Sequence, residues 1–427
     1  MRSLLSTSDF LQVREHKLSN DLTVWLNEDH SQPKIFGAVV VKAGAKDSPN
    51  TGIAHYFEHM MFKGTTNRSA KKIAEDIDRI GGQINAFTGK EATCYYVKAI
   101  DSNYKEAADV LIDMLTQSLL DKEEMTKERQ VICEEIKMTQ DAPDDLAHDT
   151  ITAMIFKGND LGKSIIGTPT SLKRITRSVM SNYFAKEYTR DNIVISVSGN
   201  FDVDEICEYF DDKFMELLPS KEEKNPAFAP YAPSYKSITK EIEQSHICLA
   251  TKGIPLGDDR YYAFSILNNI MGGSMSSRFF QNIREEKGLA YSVYSMNGAF
   301  SGDGYYNIYA GVSHDKIKDA ICGIREELAL LDEKGISAEE LDSSRAQLKA
   351  AYVFGQENVA GRMFKNGKNT ILTGKISTPE EVVKGFDDVT MDDIENMKRL
   401  ICDFSSYSAV VVSKKHIELK RIMKGAL

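Results

Sequence analysis

Runs of apolar residues, some alternating with polar ones and some continuous, mark out the strands of this chain. Leu22-Thr23-Val24-Trp25-Leu26 and Phe36-Gly37-Ala38-Val39-Val40-Val41 read as strands near the start, and 193–197 as a later one. The order returns in the second half, where Ile247-Cys248-Leu249-Ala250-Thr251 opens and 409–412 closes. Between the opening and closing strands of each half the pattern gives a helix, more strands, and two or three long amphipathic helices. Residues 218–237 carry Pro219, Pro226, Pro230 and Pro233 amid Ser, Lys and Glu, the composition of an extended linker. The expected organisation is a diverged internal duplication of the α+β class. Domains at 1–217 and 238–427, each a mixed, mainly antiparallel sheet covered by helices, are joined by 218–237.

One helix combines an interior position with reactive groups. The run Gly52-Ile53-Ala54-His55-Tyr56-Phe57-Glu58-His59-Met60-Met61-Phe62-Lys63-Gly64 is apolar on nearly every side, so a helix here belongs in the core. His55 and His59 stand at i and i+4, one above the other, a spacing that lets two imidazoles reach one tetrahedral metal ion. Glu58 is turned aside from that ion, better placed to handle a water's proton than to ligate. A single buried His is usually a core residue with a satisfied ring. Two His and a carboxylate on one buried face need partners that apolar packing does not supply. The order His-x-x-Glu-His is the signature of inverted zinc peptidases.

A catalytic zinc site has three protein ligands and an open position, so a third ligand is expected elsewhere. The best segment is Lys127-Glu128-Arg129-Gln130-Val131-Ile132-Cys133-Glu134-Glu135-Ile136-Lys137. Read as a helix, Glu128, Val131 and Glu135 lean to one side, Cys133 marginally so, beside an apolar stripe of Ile132 and Ile136. Glu128 and Glu135 are two turns apart and share a face, while Glu134 points elsewhere. On these residues alone, a solvated charged helix is the ordinary reading.

The chain resembles the pitrilysin and insulinase family, most of all its short members, such as the catalytic subunit of mitochondrial processing peptidase and its bacterial relatives. The zinc helix of that family matches His55, Glu58 and His59. Its third ligand matches Glu135, with Glu128 as the carboxylate behind a ligand His. Gly81-Gly82-Gln83-Ile84-Asn85-Ala86-Phe87-Thr88, followed by Glu91, Thr93 and Tyr95-Tyr96, is similar to the family's substrate-binding edge strand. Leu161-Gly162 and Ile166-Gly167-Thr168 resemble the loop and helix start that follow. Gly272-Gly273-Ser274-Met275-Ser276-Ser277-Arg278 and Ile283-Arg284-Glu285-Glu286-Lys287-Gly288-Leu289-Ala290-Tyr291-Ser292 resemble its signature in the second half.

The resemblance implies a zinc metalloendopeptidase, one Zn2+ per chain, acting on peptides or short unfolded segments. In it Glu58 is the general base, then the general acid towards the leaving amine. Asn85, Ala86 and Phe87 would pair with an extended substrate, against the ordinary reading of a core strand. Arg284 and Tyr291 would stabilise the oxyanion. In the longest members those two come from the last of four domains, so a chain of two domains implies a homodimer that supplies them across its interface. Some short members are heterodimers with the two motifs on separate chains; both motifs are present here. The alternative is a non-catalytic structural or peptide-binding subunit, although such relatives have eroded zinc motifs. Processing and degradative roles stay open.

Laying one half on the other puts Phe264 opposite His55, Leu267 opposite Glu58 and Asn268 opposite His59. Ser344 then falls opposite Glu128 and Ala351 opposite Glu135. On this register only the first domain binds metal.

Composition narrows the picture further. At 427 residues the chain exceeds one compact core. A net charge of −10 argues against a nucleic-acid binder and suits basic peptides. Cys94, Cys133, Cys207, Cys248, Cys322 and Cys402 show no Cys-x-x-Cys spacing, so neither a disulfide framework nor a thiolate metal site is expected. The first nine residues lack the apolar core of a secretory signal, and no segment has the length of a membrane span. A cytoplasmic location is the expectation, with a trimmed organellar form as the alternative.

Overall fold

The computed structural model describes residues 13–425 apart from 216, 218, 220–227 and 229, so the first nine residues and half of the expected linker, Pro226 included, lie outside the described residues. Fifteen helices and eleven strands of named range follow. The strands are β1 (Val13–Lys17), β2 (Thr23–Glu28), β3 (Ile35–Val41), β4 (Gln83–Thr88), β5 (Thr93–Ala99), β6 (Ile193–Gly199), β7 (Tyr235–Thr239), β8 (Ser245–Lys252), β9 (Ser292–Phe300), β10 (Asp303–Val312) and β11 (Ser408–Ser413). The helices of the first half are α1 (Ile53–Met61), α2 (Ala70–Arg79), α3 (Tyr104–Gln117), α4 (Lys122–Asp141), α5 (Pro143–Ile155), α6 (Pro169–Lys173), α7 (Arg177–Glu187) and α8 (Val203–Phe214). Those of the second are α9 (Tyr261–Asn268), α10 (Ile317–Lys334), α11 (Ala338–Gln356), α12 (Val359–Thr373), α13 (Pro379–Asp387), α14 (Met391–Ile401) and α15 (Leu419–Met423).

The duplication is visible in the strand orders. One sheet runs β1-β2-β6-β3-β5-β4 and the other β7-β11-β8-β10-β9. Without β1 the two agree strand for strand. The parallel pairs correspond as well, β2 with β6 and β7 with β11, while the remaining neighbours are antiparallel. The same sequence distance separates α4 from α11 as separates α5 from α12, so the expected register holds through the long helices.

The chain forms two compact units, and each draws on both halves of the sequence. The first takes Met1–Ile136, Lys163–Asn225 and Val353–Glu380; the second takes Lys137–Gly162, Pro226–Tyr352 and Glu381–Leu427. A single cut at 218–237 therefore misses an exchange. α12 packs on β3 and β6 of the first unit, and α5 packs on β8 and β11 of the second. Both are amphipathic, and an apolar stripe states only that a helix must be covered, not by which sheet.

The exchange explains the continuous apolar runs. β3 and β6 are buried on both faces because the main core lies on one side and α12 on the other. α12 sits so close that a Cβ on Gly367 would come 2.7 Å from Val40 Cγ2, which requires glycine there. Ser196 Oγ of β6 donates to the Met363 carbonyl at 2.9 Å. Among the described residues no helix is long and apolar enough to cross a membrane.

Candidate metal centre

α1 is buried through Ile53, Ala54, Tyr56, Phe57, Met60 and Met61. His55, Glu58 and His59 are the partly exposed positions left on it, so one narrow face carries all three polar groups. The helix begins at Gly52, whose φ of +93° and tight contact with Gly167 (a Cβ would lie 2.9 Å from Gly167 Cα) exclude a side chain. Gly167 itself has φ +80° and leads into Thr168, which caps α6 by accepting from the Ser171 N–H. The start of α1 and the loop before α6 therefore meet glycine to glycine, at Gly52 and Gly167.

α4 supplies the carboxylates. Its start is capped by Asp121, whose Oδ1 accepts from the N–H groups of Glu123 and Glu124 at 2.8 and 3.0 Å. Its buried stripe is Met125, Glu128, Ile132 and Ile136. A glutamate thus occupies a position that the helical period reserves for an apolar residue. The Tyr56 hydroxyl donates to the Met125 carbonyl, tying α1 to α4.

Across this crossing, His55 Nε2 is 3.7 Å from Glu135 Oε2, and His59 Nε2 is 3.6 Å from Glu135 Oε1. One ligand atom from each of the three residues lies within 4.8 Å of the others. Bonds of about 2.0–2.1 Å in a tetrahedron place donors about 3.4 Å apart, so these residues fit a Zn2+-sized ion with little movement. Among the described residues this is the one group of three or more His, Cys, Asp or Glu that could hold a metal.

The surroundings prepare the two imidazoles differently. Glu128, buried, has Oε2 3.0 Å from His59 Nδ1, while Lys63 Nζ donates to its Oε1 at 2.7 Å. That contact assigns the proton to Nδ1 and turns the lone pair of Nε2 towards Glu135. His55 Nδ1 has no hydrogen-bond partner, and burial, reinforced by His59, pulls the His55 pKa down to about 4. His55 is therefore neutral at physiological pH, the form that ligates.

Glu58 stands beside this set, outside it. Thr88 Oγ1 of β4 donates to its Oε2. Burial raises the carboxyl's pKa, assisted by Glu135 and opposed by Thr88 and His59. Glu134 is exposed and is not part of the group, whereas Glu135 is. Val131, expected on the ligand side, is 45 % exposed instead, because the buried stripe passes through Glu128 and Ile132.

β4 is the edge strand of its sheet, not an interior one. Ile84 and Ala86 pack on the main core, and Asn85 and Phe87 are exposed. Arg284 and Tyr291 belong to the second unit. There the Arg284 guanidinium lies 4.6 Å from the Phe280 ring centroid and 5.7 Å from that of Tyr291, and Tyr291 is 74 % exposed. At the equivalent crossing of that unit, Phe264, Leu267 and Ser344 are buried and Ala351 is exposed. Asn269 Nδ2 donates there to Ser344 Oγ and Gln347 Oε1, both at 3.0 Å.

Sequence reasoning missed two residues. Lys63 stands one turn beyond His59, past the helix end, and that spacing was its only signal. Thr88 shares the inward face of β4 with Ile84 and Ala86 through the two-residue period.

Comparison with known proteins agrees with this geometry. Residues 23–169 match the family model described as insulinase (peptidase family M16), and residues 174–348 match the one described as peptidase M16 inactive domain. The chain belongs to peptidase family M16. It is similar to the uncharacterized zinc protease YmxG of Bacillus subtilis, at 38 % identity over 91 % of this chain and 95 % of that one. It is also similar to an uncharacterized zinc protease of Rickettsia felis, at 36 % identity over 92 % and 96 %. Among solved M16-type folds, a peptidase M16 inactive domain from Pseudomonas fluorescens aligns with a TM-score of 0.87 at 18 % identity, covering 95 % of this chain and 98 % of that one. A protease from Helicobacter pylori aligns with 0.86 at 19 %, covering 94 % and 100 %. The split between the two M16 models falls as the residues do, with the ligand set in the first and no counterpart in the second.

Proposed function

We propose that this M16 protein is a zinc metalloendopeptidase that hydrolyses peptides or short unfolded segments. The observation that carries the reading is the convergence of His55, His59 and Glu135 with a partly buried Glu58 beside them. Zn2+ held by the three ligands would supply Lewis-acid polarisation of the scissile carbonyl and a more acidic water. Glu58, with Oε2 held by Thr88, is the carboxylate that takes the proton of the attacking water and passes it to the leaving nitrogen. Glu128 keeps the proton of His59 on Nδ1, and Lys63 balances the charge of Glu128. The open edge of β4 accepts the substrate backbone at Asn85, Ala86 and Phe87, which favours extended chains over folded ones.

Arg284 and Tyr291 are assigned to the oxyanion, delivered by a second copy of the chain in a two-fold homodimer. Mixing Glu58→Gln chains with Arg284→Ala/Tyr291→Phe chains is expected to restore activity, since one of the two composite sites is then intact. Exchange of subunits without recovery would remove this arrangement. A cytoplasmic location belongs to the same reading, consistent with six free thiols.

The decisive test is hydrolysis of an unfolded polypeptide by the purified chain with zinc, with chelator, and with zinc restored. Cleavage that follows the metal supports the reading. Full zinc occupancy with no cleavage of any peptide would favour the non-catalytic subunit.

A further inference from the structure

We propose that Phe364, on the helix that the second sequence half contributes, forms with Phe87 and Tyr96 an apolar shelf that selects a bulky apolar side chain in the substrate. The proposal rests on the reading of β4 as the peptide-binding edge and adds the side-chain preference that edge imposes.

The two faces of β4 do different things. Ile84, Ala86 and Thr88 point to the side of α1, where Thr88 meets Glu58. Gln83, Asn85 and Phe87 point to the other side, the side covered by α12. There the Phe87 ring centroid is 5.5 Å from that of Phe364 and 6.5 Å from that of Tyr96, and Tyr96 and Phe364 are 4.9 Å apart, edge to face. Phe364 and Tyr96 are partly covered, but Phe87 remains 49 % exposed at the sheet edge. Three aromatic rings thus build a surface that stops at the rim of the sheet, where an added strand would extend it.

The backbone says which substrate residue meets that surface. The N–H of Ala86 donates to Asn85 Oδ1 at 2.8 Å, so it is turned away from β5 and towards the open edge. Alternation along the strand turns the N–H of Phe87 inward to β5. An antiparallel peptide strand that bonds to Ala86 places the side chain opposite Ala86 on the face of α1 and Glu58. The next residue stands opposite Phe87 in a non-hydrogen-bonded pair, with Cα atoms about 4.5 Å apart, the closer of the two pairings. Its side chain rises on the face of Phe87, Tyr96 and Phe364. An apolar side chain completes the ring cluster, and a charged one loses water against it. The position of Phe364 is fixed by α12, which is anchored on the sheet through Gly367 against Val40 and through the Arg362–Asp29 ion pair.

The experiment is a peptide library varied at each position around the cut, incubated with the zinc-loaded full chain. Wild type is expected to favour Phe, Tyr or Leu over Ser or Glu at one position of the alternating pair. Phe364→Ala is expected to lower kcat/KM for the Phe peptide roughly tenfold more than for the Ser peptide, and Phe364→Leu to restore most of the ratio. Phe87→Ser, at a half-exposed ring, must collapse the same ratio, and it keeps the test alive if Phe364→Ala does not fold. An equal loss for all peptides, or a ratio that neither variant moves, would overturn the shelf while leaving the peptidase reading intact. A zinc-loaded wild type that cleaves nothing removes both.

Discussion

The crossing of α1 with α4 and the crossing of α9 with α11 occupy the same place in two copies of one fold, yet their interiors differ in kind. In the first, two imidazoles and a carboxylate gather around a space the size of a metal ion. In the second, Asn269, Ser344 and Gln347 satisfy one another by neutral hydrogen bonds, and Phe264 and Leu267 fill the positions of His55 and Glu58. The sheet order and the helix spacing survive in both. The difference teaches that the apolar pattern carries the fold, while the metal chemistry depends on a few side chains that can be exchanged for self-contained polar contacts. Polar groups in a helix crossing need partners, and the two crossings present different ones: a carboxylate facing two imidazoles in the first, neutral hydrogen bonds in the second.

The comparison breaks first at the ligands. His55→Ala, His59→Ala and Glu135→Ala are each expected to lose the metal and all hydrolysis, while Glu134→Ala keeps both, read by metal content of the purified chain and by peptide cleavage. Zinc kept by Glu135→Ala and lost by Glu134→Ala would move the ligand one residue along α4. Next in size is Glu58→Gln, expected to keep zinc and to lower kcat by about 10²–10⁴-fold, the range of a lost general acid–base. Unchanged turnover would take Glu58 out of the chemistry. Glu128→Gln should weaken zinc affinity by about 10–100-fold, because His59 keeps only a neutral amide acceptor in place of the carboxylate and Lys63 loses its ion-pair partner; competition with a chromogenic chelator reads this. The smallest effect belongs to the second crossing. Ser344→Ala is expected to destabilise by about 1–3 kcal/mol, read as a lower denaturation midpoint, with zinc content unchanged. A change in zinc content there would mean that the second crossing contributes to metal binding after all.

The His55-Glu58-His59 face was legible from the residues because it lies within two turns of one helix, where spacing alone sets geometry. Glu135 was not legible in that way: many glutamates lie on amphipathic helices, and only a resemblance to known zinc peptidases singled it out. Val131 shows the limit of helical-wheel reasoning, since it shares a nominal side with Glu128 and Glu135 yet faces outward. The edge position of β4 was available only through that same resemblance, because a strand of alternating exposure reads alike at an edge or beside a helix-free face.

The sequence by itself determined the repeated strand and helix pattern, the interior placement of α1 and the chemistry of its one polar face. These follow from periodicity and from the cost of burying unpartnered polar groups, both of which act locally. Tertiary structure alone decided that α5 and α12 each cover the sheet of the other half, that Lys63 and Thr88 brace Glu128 and Glu58, and that Phe364 stands beside Phe87. An amphipathic helix fits any apolar face of matching shape. Which face it takes depends on contacts such as Gly367 on Val40, and those bring together residues that the chain keeps hundreds of positions apart.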